Sequence, residues 1–274
     1  MTATPTPPAV ALQPLNISTR LHVDSGENVA IGGFLITGYS PKLVAIRGLG
    51  PSLRSNSSVT DVLLDPRLEL RGAGNVLLAS SDNWRDNAAW ASELESVGLA
   101  PEYDSEAALI AVLPPGAYTA VVGGNNGSSG MGLVEIYDLD AAADARLANI
   151  STRGLVETGD AVVIGGFIIG GNAGHTAVLL RAIGPSLESV GITNVLADPT
   201  LELRDNNGSL LQSNDNWKES QQAVIEATGI APQNDFEAAM VATLPPGYYT
   251  AVAAGKDNSI GVGLIEVYNL GPPQ

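Results

Sequence analysis

Cysteine is absent from all 274 residues, which removes disulfides, thiolate metal centres and a cysteine nucleophile from consideration. Aromatic residues make up only 5%, and 13 basic residues face 29 acidic ones, for a formal charge of −16. No stretch gathers Lys or Arg into a face that would track a phosphate backbone, so no nucleic acid partner is expected. Long apolar runs are also missing. Residues 161–171 and 177–183 are too short and too rich in glycine to cross a bilayer as helices, so no membrane span is expected. The two histidines, His22 and His175, stand at unrelated places in the sequence. No Gly-x-Ser-x-Gly elbow, His-Glu-x-x-His helix or phosphate-binding loop occurs, so the chain is not expected to be an enzyme. Thr-Ala-Thr-Pro-Thr-Pro-Pro after Met1 is neither the basic n-region nor the apolar h-region of a signal peptide.

What is present is a repeat. Residues 65–84 and 198–217 are identical at twelve of twenty positions without a gap. In the second copy Leu201, Leu203 and Leu210 alternate with polar residues on either side of Asn207-Gly208, the pattern of a hairpin with one buried face. Extended outward, residues from about 14 to 139 match those from about 147 to 270. The sequence therefore divides into a Pro-rich tail (1–13), a first repeat (14–140) and a second repeat (141–274), each repeat long enough for its own core.

Runs of β-branched residues bounded by Gly, Pro or Asn predict strands at 16–20, 29–36 and 43–47, and again at 149–153, 162–169 and 178–181. Gly32-Gly33 and Gly165-Gly166 inside such runs predict a bulge or a close backbone crossing. Residues 87–97 and 219–228 space their apolar residues helically and end at Gly98 and Gly229, which predicts one short helix per repeat capping an end of the sheet. Leu113-Pro-Pro-Gly116 and Leu244-Pro-Pro-Gly247 predict type II turns, with the glycine at positive φ. The sum is an all-β protein: two tandem antiparallel β-sandwiches, jelly-roll-like, with about eight strands each.

The ordered series Asn149-Ile-Ser-Thr-Arg153, Gly165-Gly-Phe-Ile-Ile169, Arg181-Ala-Ile-Gly-Pro-Ser-Leu187, Asn214-Asp-Asn-Trp217 and Gly263-Leu-Ile-Glu-Val-Tyr268 resembles a repeat of large secreted and cell-surface proteins of bacteria. Its latter half is similar to the pre-peptidase C-terminal type of β-sandwich. This resemblance implies an extracellular or cell-surface setting and a non-catalytic role.

Acidic side chains are the candidate metal ligands. Asp104 and Glu106, like Asp235 and Glu237, stand two apart before a strand, and Asp82 and Asp215 add loop oxygens, a supply that suits calcium. Against this, Asp82 and Asp215 also suit Asx-turn or helix-capping bonds. Arg47 and Arg181 at strand ends, with Glu69, Glu202, Glu135 and Glu266 inside apolar strands, predict structural ion pairs, because an unpaired buried charge is costly. Trp84 and Trp217 suit either exposed sugar platforms or core anchors. Gly48-Leu-Gly50-Pro-Ser52 reads as a Pro-started helical turn at a sandwich corner and not as a dinucleotide loop. Ala9, Val10, Ala11 and Leu12 form an apolar segment suited to adding a strand to an open sheet edge. The expected function is that of a structural module, a subunit of a surface filament or assembly formed by self-association or with other surface proteins. The alternative is a calcium-dependent module that binds carbohydrate or matrix protein.

Overall fold

The structure, a computed structural model, describes residues 14–24, 26–56, 59, 61–170 and 174–271. The fold is all-β. The first repeat supplies β1 (Pro14–Val23), β2 (Ala30–Gly38), β3 (Lys42–Leu49), β4 (Pro66–Arg71), β5 (Leu77–Ser81), β6 (Ala107–Leu113), β7 (Gly116–Gly124) and β8 (Gly130–Asp138). The second repeats the series as β9 (Ala145–Val156), β10 (Val163–Ile169), β11 (Thr176–Ile183), β12 (Pro199–Asp205), β13 (Leu210–Asn214), β14 (Ala238–Leu244), β15 (Gly247–Gly255) and β16 (Gly261–Gly271). A one-turn helix α1 (Leu53–Asn56) and the helices α2 (Ala88–Ser96) and α3 (Gln222–Ala227) complete the regular elements named here.

The antiparallel pairings place the strands in two layers of eight. One runs β13–β12–β15–β10–β1–β8–β3–β6. The other runs β14–β11–β16–β9–β2–β7–β4–β5. A single bridge between His22 and Leu155 ties the layers together. Each layer passes from one repeat into the other without a break, because β1 pairs with β10 on one side of the molecule and β9 pairs with β2 on the other. The expectation of two separate cores is corrected here. One buried apolar cluster includes Phe34, Val122 and Ile136 from the first repeat and Phe167, Ala251 and Ile265 from the second. The physical reason is edge pairing: two sandwiches set side by side satisfy each other's open strand edges, and their interiors merge.

The seam has approximate two-fold symmetry. Thr19 and Thr152, the same residue of the two repeats, are each 1% exposed, and the Thr152 hydroxyl donates to Thr19 Oγ1 at 2.8 Å. His22 and Leu155, again equivalent positions, are bridge partners. At the position between them the symmetry is broken. Leu21 is fully buried, and a Cβ added to its counterpart Gly154 would lie 1.9 Å from Leu21 Cδ1. The leucine of one repeat fills the space that the glycine of the other leaves open.

Several local expectations resolve differently. Gly32 and Gly33 mark close approach and not a bulge, a Cβ on Gly33 meeting Ser151 Oγ at 2.7 Å and the register shift between β2 and β9 falling later, between Leu35 and Ile36, whereas a Cβ on Gly165 or Gly166 would make only ordinary contacts at 3.5–3.6 Å. Neither Gly116 nor Gly247 has positive φ. The Pro-Pro connections are closed by tyrosines instead, with Tyr118 OH donating to Pro114 O at 2.7 Å and Tyr249 OH to Pro245 O at 2.9 Å. Helix α2 does not cap the end of a sheet. It packs on the outer face of its layer, where Leu94 and Trp84 bury Ala45 and Ala108. Of the hairpin leucines, Leu201 and Leu203 are buried, whereas Leu210 and Leu211 stay about half exposed on the edge strand.

The seam makes a specific demand. Gly154→Ala is expected to destabilise the protein by about 1–3 kcal/mol through overpacking, and Leu21→Ala by about 2–5 kcal/mol through a cavity. In a denaturant double-mutant cycle the combined variant is expected to lose clearly less than the sum, since the new methyl occupies the vacated space. Strict additivity would show that the two residues do not meet.

Candidate functional site

The arginines and glutamates of the central strands form the same cluster twice. Arg47 stands opposite Glu135 across β3 and β8, and Arg181 opposite Glu266 across β11 and β16. Each guanidinium engages the facing carboxylate through Nε at 2.8 Å and through a second, shorter contact from Nη2. Arg47 also donates to Leu99 O at 3.0 Å and Arg181 to Ile230 O at 2.6 Å, so every nitrogen of both heads is engaged by the protein. Tyr137 and Tyr268 donate to the remaining carboxylate oxygens at 3.0 and 2.8 Å. Burial, reinforced by the neighbouring glutamate, pushes each phenol up to about 12. Glu69 and Glu202 are not partners of these arginines. They pair along their own strands with Arg71 at 2.5 Å and Arg204 at 2.6 Å. A further ion pair was not foreseen: Lys42 and Asp138 meet at 2.9 Å with both side chains fully buried. At the corresponding place in the second repeat Thr176 donates to Asn269 Oδ1 at 3.0 Å.

The six candidate metal ligands do not converge. Among the described residues no three His, Cys, Asp or Glu groups come together to hold a metal ion. Glu106 is fully buried and accepts from Gly50 N at 3.0 Å, Ser52 N at 2.9 Å, Ser52 Oγ at 2.5 Å and Tyr103 N at 3.3 Å. Glu237 accepts the matching four bonds from Gly184 N, Ser186 N, Ser186 Oγ and Asn234 N. The Gly-Leu-Gly-Pro-Ser corner thus does gather backbone N–H groups around an anion, and the anion is the protein's own glutamate. Asp104 points outward to Arg85 at 2.7 Å and Asp235 to Lys218 at 2.5 Å. Asp82 accepts from Asn125 Nδ2 at 2.6 Å, and Asp215 pairs with Lys256 at 2.6 Å. The expected helix-capping role of Asp82 belongs to Asn87, which accepts from Ala89 N and Trp90 N. Trp84 and Trp217 are 1% and 5% exposed and anchor small outer clusters with Leu94 and Ile225, so they offer no platform for a sugar.

Two grooves lie at the lateral ends, where the layers stop, and a smaller concavity of about 270 Å³ lies beside the second repeat's corner, lined by Arg181, Ser186, Leu187, Pro232, Glu237 and Leu264. A groove of about 570 Å³ opens between β5 and β6, lined by Leu70, Leu78, Trp90, Val112, Leu113 and Tyr118. Its counterpart between β13 and β14, about 480 Å³, is lined by Leu203, Leu211, Gln212, Leu244 and Tyr249. The first lining is mainly apolar, whereas the second also includes Asp205, Gln212 and Thr243. On the edge strands Leu78 and Leu211 line these grooves, whereas Leu210, which the hairpin pattern assigns to a buried face, stays half exposed beside one of them. The assembly segment Ala9–Leu12 lies outside the described residues.

No family model matches the chain, and no curated protein matches it. Among the solved structures that resemble it weakly are the following two. A DUF4785 family protein from Legionella pneumophila is 10% identical, with 99% of this chain and 69% of that one covered at a TM-score of 0.27. A chain in the structure of Sulfolobus Turreted Icosahedral Virus is 10% identical, with 94% and 89% covered at a TM-score of 0.24. Likeness at this level carries no functional argument.

Two outcomes test the polar interior. Asp138→Ala strands a buried ammonium and is expected to cost about 3–5 kcal/mol. The pair Lys42→Thr with Asp138→Asn, copied from the other repeat, is expected to stay within about 1 kcal/mol of the parent in chemical denaturation. The raised phenols set an alkaline limit. An unfolded tyrosine ionises near pH 10, while Tyr137 and Tyr268 hold their protons up to about 12. Their contribution is therefore intact below about pH 10 and is lost as pH rises towards 12. Thermal midpoints are expected to fall across that window, and less steeply when both tyrosines are replaced by phenylalanine.

Proposed function

We propose that this chain is a non-catalytic structural module of the bacterial exterior, a subunit that assembles with copies of itself. The observation that carries the reading is the pair of eight-stranded layers running unbroken through both repeats, so that the chain forms one long rigid slab. A slab of this kind resists bending between its halves, which a spacer or a filament subunit needs and a binding module on a hinge does not. The ionisable groups inside it support the same reading. Arg47, Arg181, Glu106, Glu237 and Lys42 are each engaged by protein atoms, which supports a structural role for them. The extracellular setting rests on the resemblance to repeats of bacterial surface proteins. The layers end laterally at strands that pair with no further strand among the described residues, and such an edge, where it is left open, recruits further strands.

Sedimentation velocity of the full-length chain over a wide concentration range, with negative-stain microscopy of the same samples, tests the proposal. Concentration-dependent growth into linear particles is expected. Strictly monomeric particles at the highest attainable concentration would overturn it.

A further inference from the structure

The two lateral edges carry equivalent strands, yet only one of them is closed. In the second repeat Val241 on the edge strand β14 donates its N–H to Gln221 Oε1 at 2.8 Å and accepts from Gln221 Nε2 at 2.9 Å. One side-chain amide thus stands in for a neighbouring strand. Gln212 Nε2 donates to Gln221 Oε1 at 3.0 Å and fixes its orientation. Val241 faces Leu179 in the sheet, and its equivalent Ile110 faces Ala45, so Ile110 turns the same backbone groups outward. Further along the edge the matching bonds are made in both repeats, from Ala239 N to Asn214 Oδ1 and from Ala108 N to Ser81 Oγ.

At the decisive place the first repeat has no amide. Aligning the buried helix residues Leu94 and Ile225 puts Trp90 where Gln221 stands, and Ala79 where Gln212 stands. An indole ring cannot accept the N–H of Ile110, and its own single donor cannot replace an amide. Among the described residues β6 pairs only with β3, so its outer edge from Ile110 to Val112 is open over an apolar groove walled by Leu70, Leu78, Trp90 and Leu113. Val112 is 66% exposed beside it.

Resting on the assembly reading above, we propose that residues 9–12 of a second copy of this chain add as a strand to the β6 edge of the first repeat. The segment fits chemically. It is bracketed by Pro8 and Pro14, which have no N–H to pair, and every residue between them can donate. Alternation turns Val10 and Leu12 together into the groove and leaves Ala9 and Ala11 on the outer face. Residues 1–13 contain no charged side chain, whereas the chain as a whole carries −16, so the tail approaches another copy without the repulsion its surface imposes.

The donor has to come from another molecule. Asn16 on β1 is level with Tyr137, Tyr137 with Ala45, and Ala45 with Ile110. A strand beyond β6 would lie four spacings from β1, about 19 Å. Leu12 is only two residues from Pro14 and reaches at most about 7 Å, and Ala9, five residues away, about 18 Å. A chain's own segment therefore cannot lie along its own β6. Tail and groove are different surfaces, so the contact repeats head to tail and builds an open filament unless its rotation closes a ring.

Because the chain lacks cysteine, engineered pairs report without ambiguity. Ala11→Cys in one batch and Val112→Cys in another, mixed and oxidised, are expected to give a covalent dimer, and the doubly substituted chain a ladder. Ala11→Cys mixed with Thr243→Cys, the equivalent edge position of the second repeat, is expected to give none. Importing the closed edge, as Ala79→Gln with Trp90→Gln, is expected to abolish assembly in sedimentation. An intramolecular disulfide, equal cross-linking at Thr243, or assembly that persists without the Val112 cross-link would each overturn the groove assignment and leave the assembly reading standing. If the unmodified chain does not assemble at all, both fall.

Discussion

Backbone hydrogen-bond demand at strand edges is the constraint on which the rest of this structure depends. A two-layer sandwich of four strands per sheet has four edges, and each presents N–H and C=O groups that must find water, a side chain or another strand. The duplicated chain removes half of that problem at a stroke. Setting the repeats side by side pairs β1 with β10 and β2 with β9, which turns four inner edges into continuous sheet and fuses two small interiors into one. A merged interior has less surface for its volume than two separate ones, so it buries a larger share of its apolar side chains. What remains is the outer pair of ends, where the two repeats behave differently.

The seam also shows how a symmetric contact becomes specific for one pairing. With identical repeats, leucine at both positions 21 and 154 would overpack, and glycine at both would leave a void. One leucine against one glycine fits, and so favours the pairing of a first repeat with a second over either repeat with its like. Thr19 and Thr152 complement this. Two hydroxyls meeting at a two-fold axis satisfy each other, one donating and one accepting, and neither is left unpaired in a dry interior.

The parts of this fold that were legible in the sequence are those set by local pattern. Alternation gave the strands, Asn207-Gly208 gave the hairpin, and charged residues within apolar strands foretold that Arg47 and Arg181 would need carboxylates. Legibility ended where a partner distant in sequence decides the outcome. Leu210 follows a core pattern but sits on an edge strand that no third strand covers, so it stays half exposed. Gly116 follows proline as a turn glycine would, yet Tyr118 closes that connection and no positive φ is needed. Asp104 and Glu106 share a spacing that suits a cation. Their fates diverge because the chain turns between them, sending one to solvent and the other beneath three donors of the distant Gly50–Ser52 corner and one of its own loop. The seam itself lay out of reach, since pairing between repeats leaves no periodic trace within either one.

Duplication supplies an internal comparison that a single domain lacks. The same backbone site is filled by two sequences, and what differs between them is free to differ without loss of the fold. By that measure the clusters around Glu106 and Glu237, or Arg47 and Arg181, are structural, because both repeats keep the same bonds. The exchange of Lys42 and Asp138 for Thr176 and Asn269 shows that one buried polar site accepts either a charged or a neutral solution. The exchange of Gln212 and Gln221 for Ala79 and Trp90 is of another kind. It changes whether an edge is satisfied, replacing an amide that closes two backbone bonds with a ring that closes neither. A sandwich stable enough to leave one edge open, next to apolar surface that water solvates poorly, presents there a backbone and a groove that a further strand would cover together.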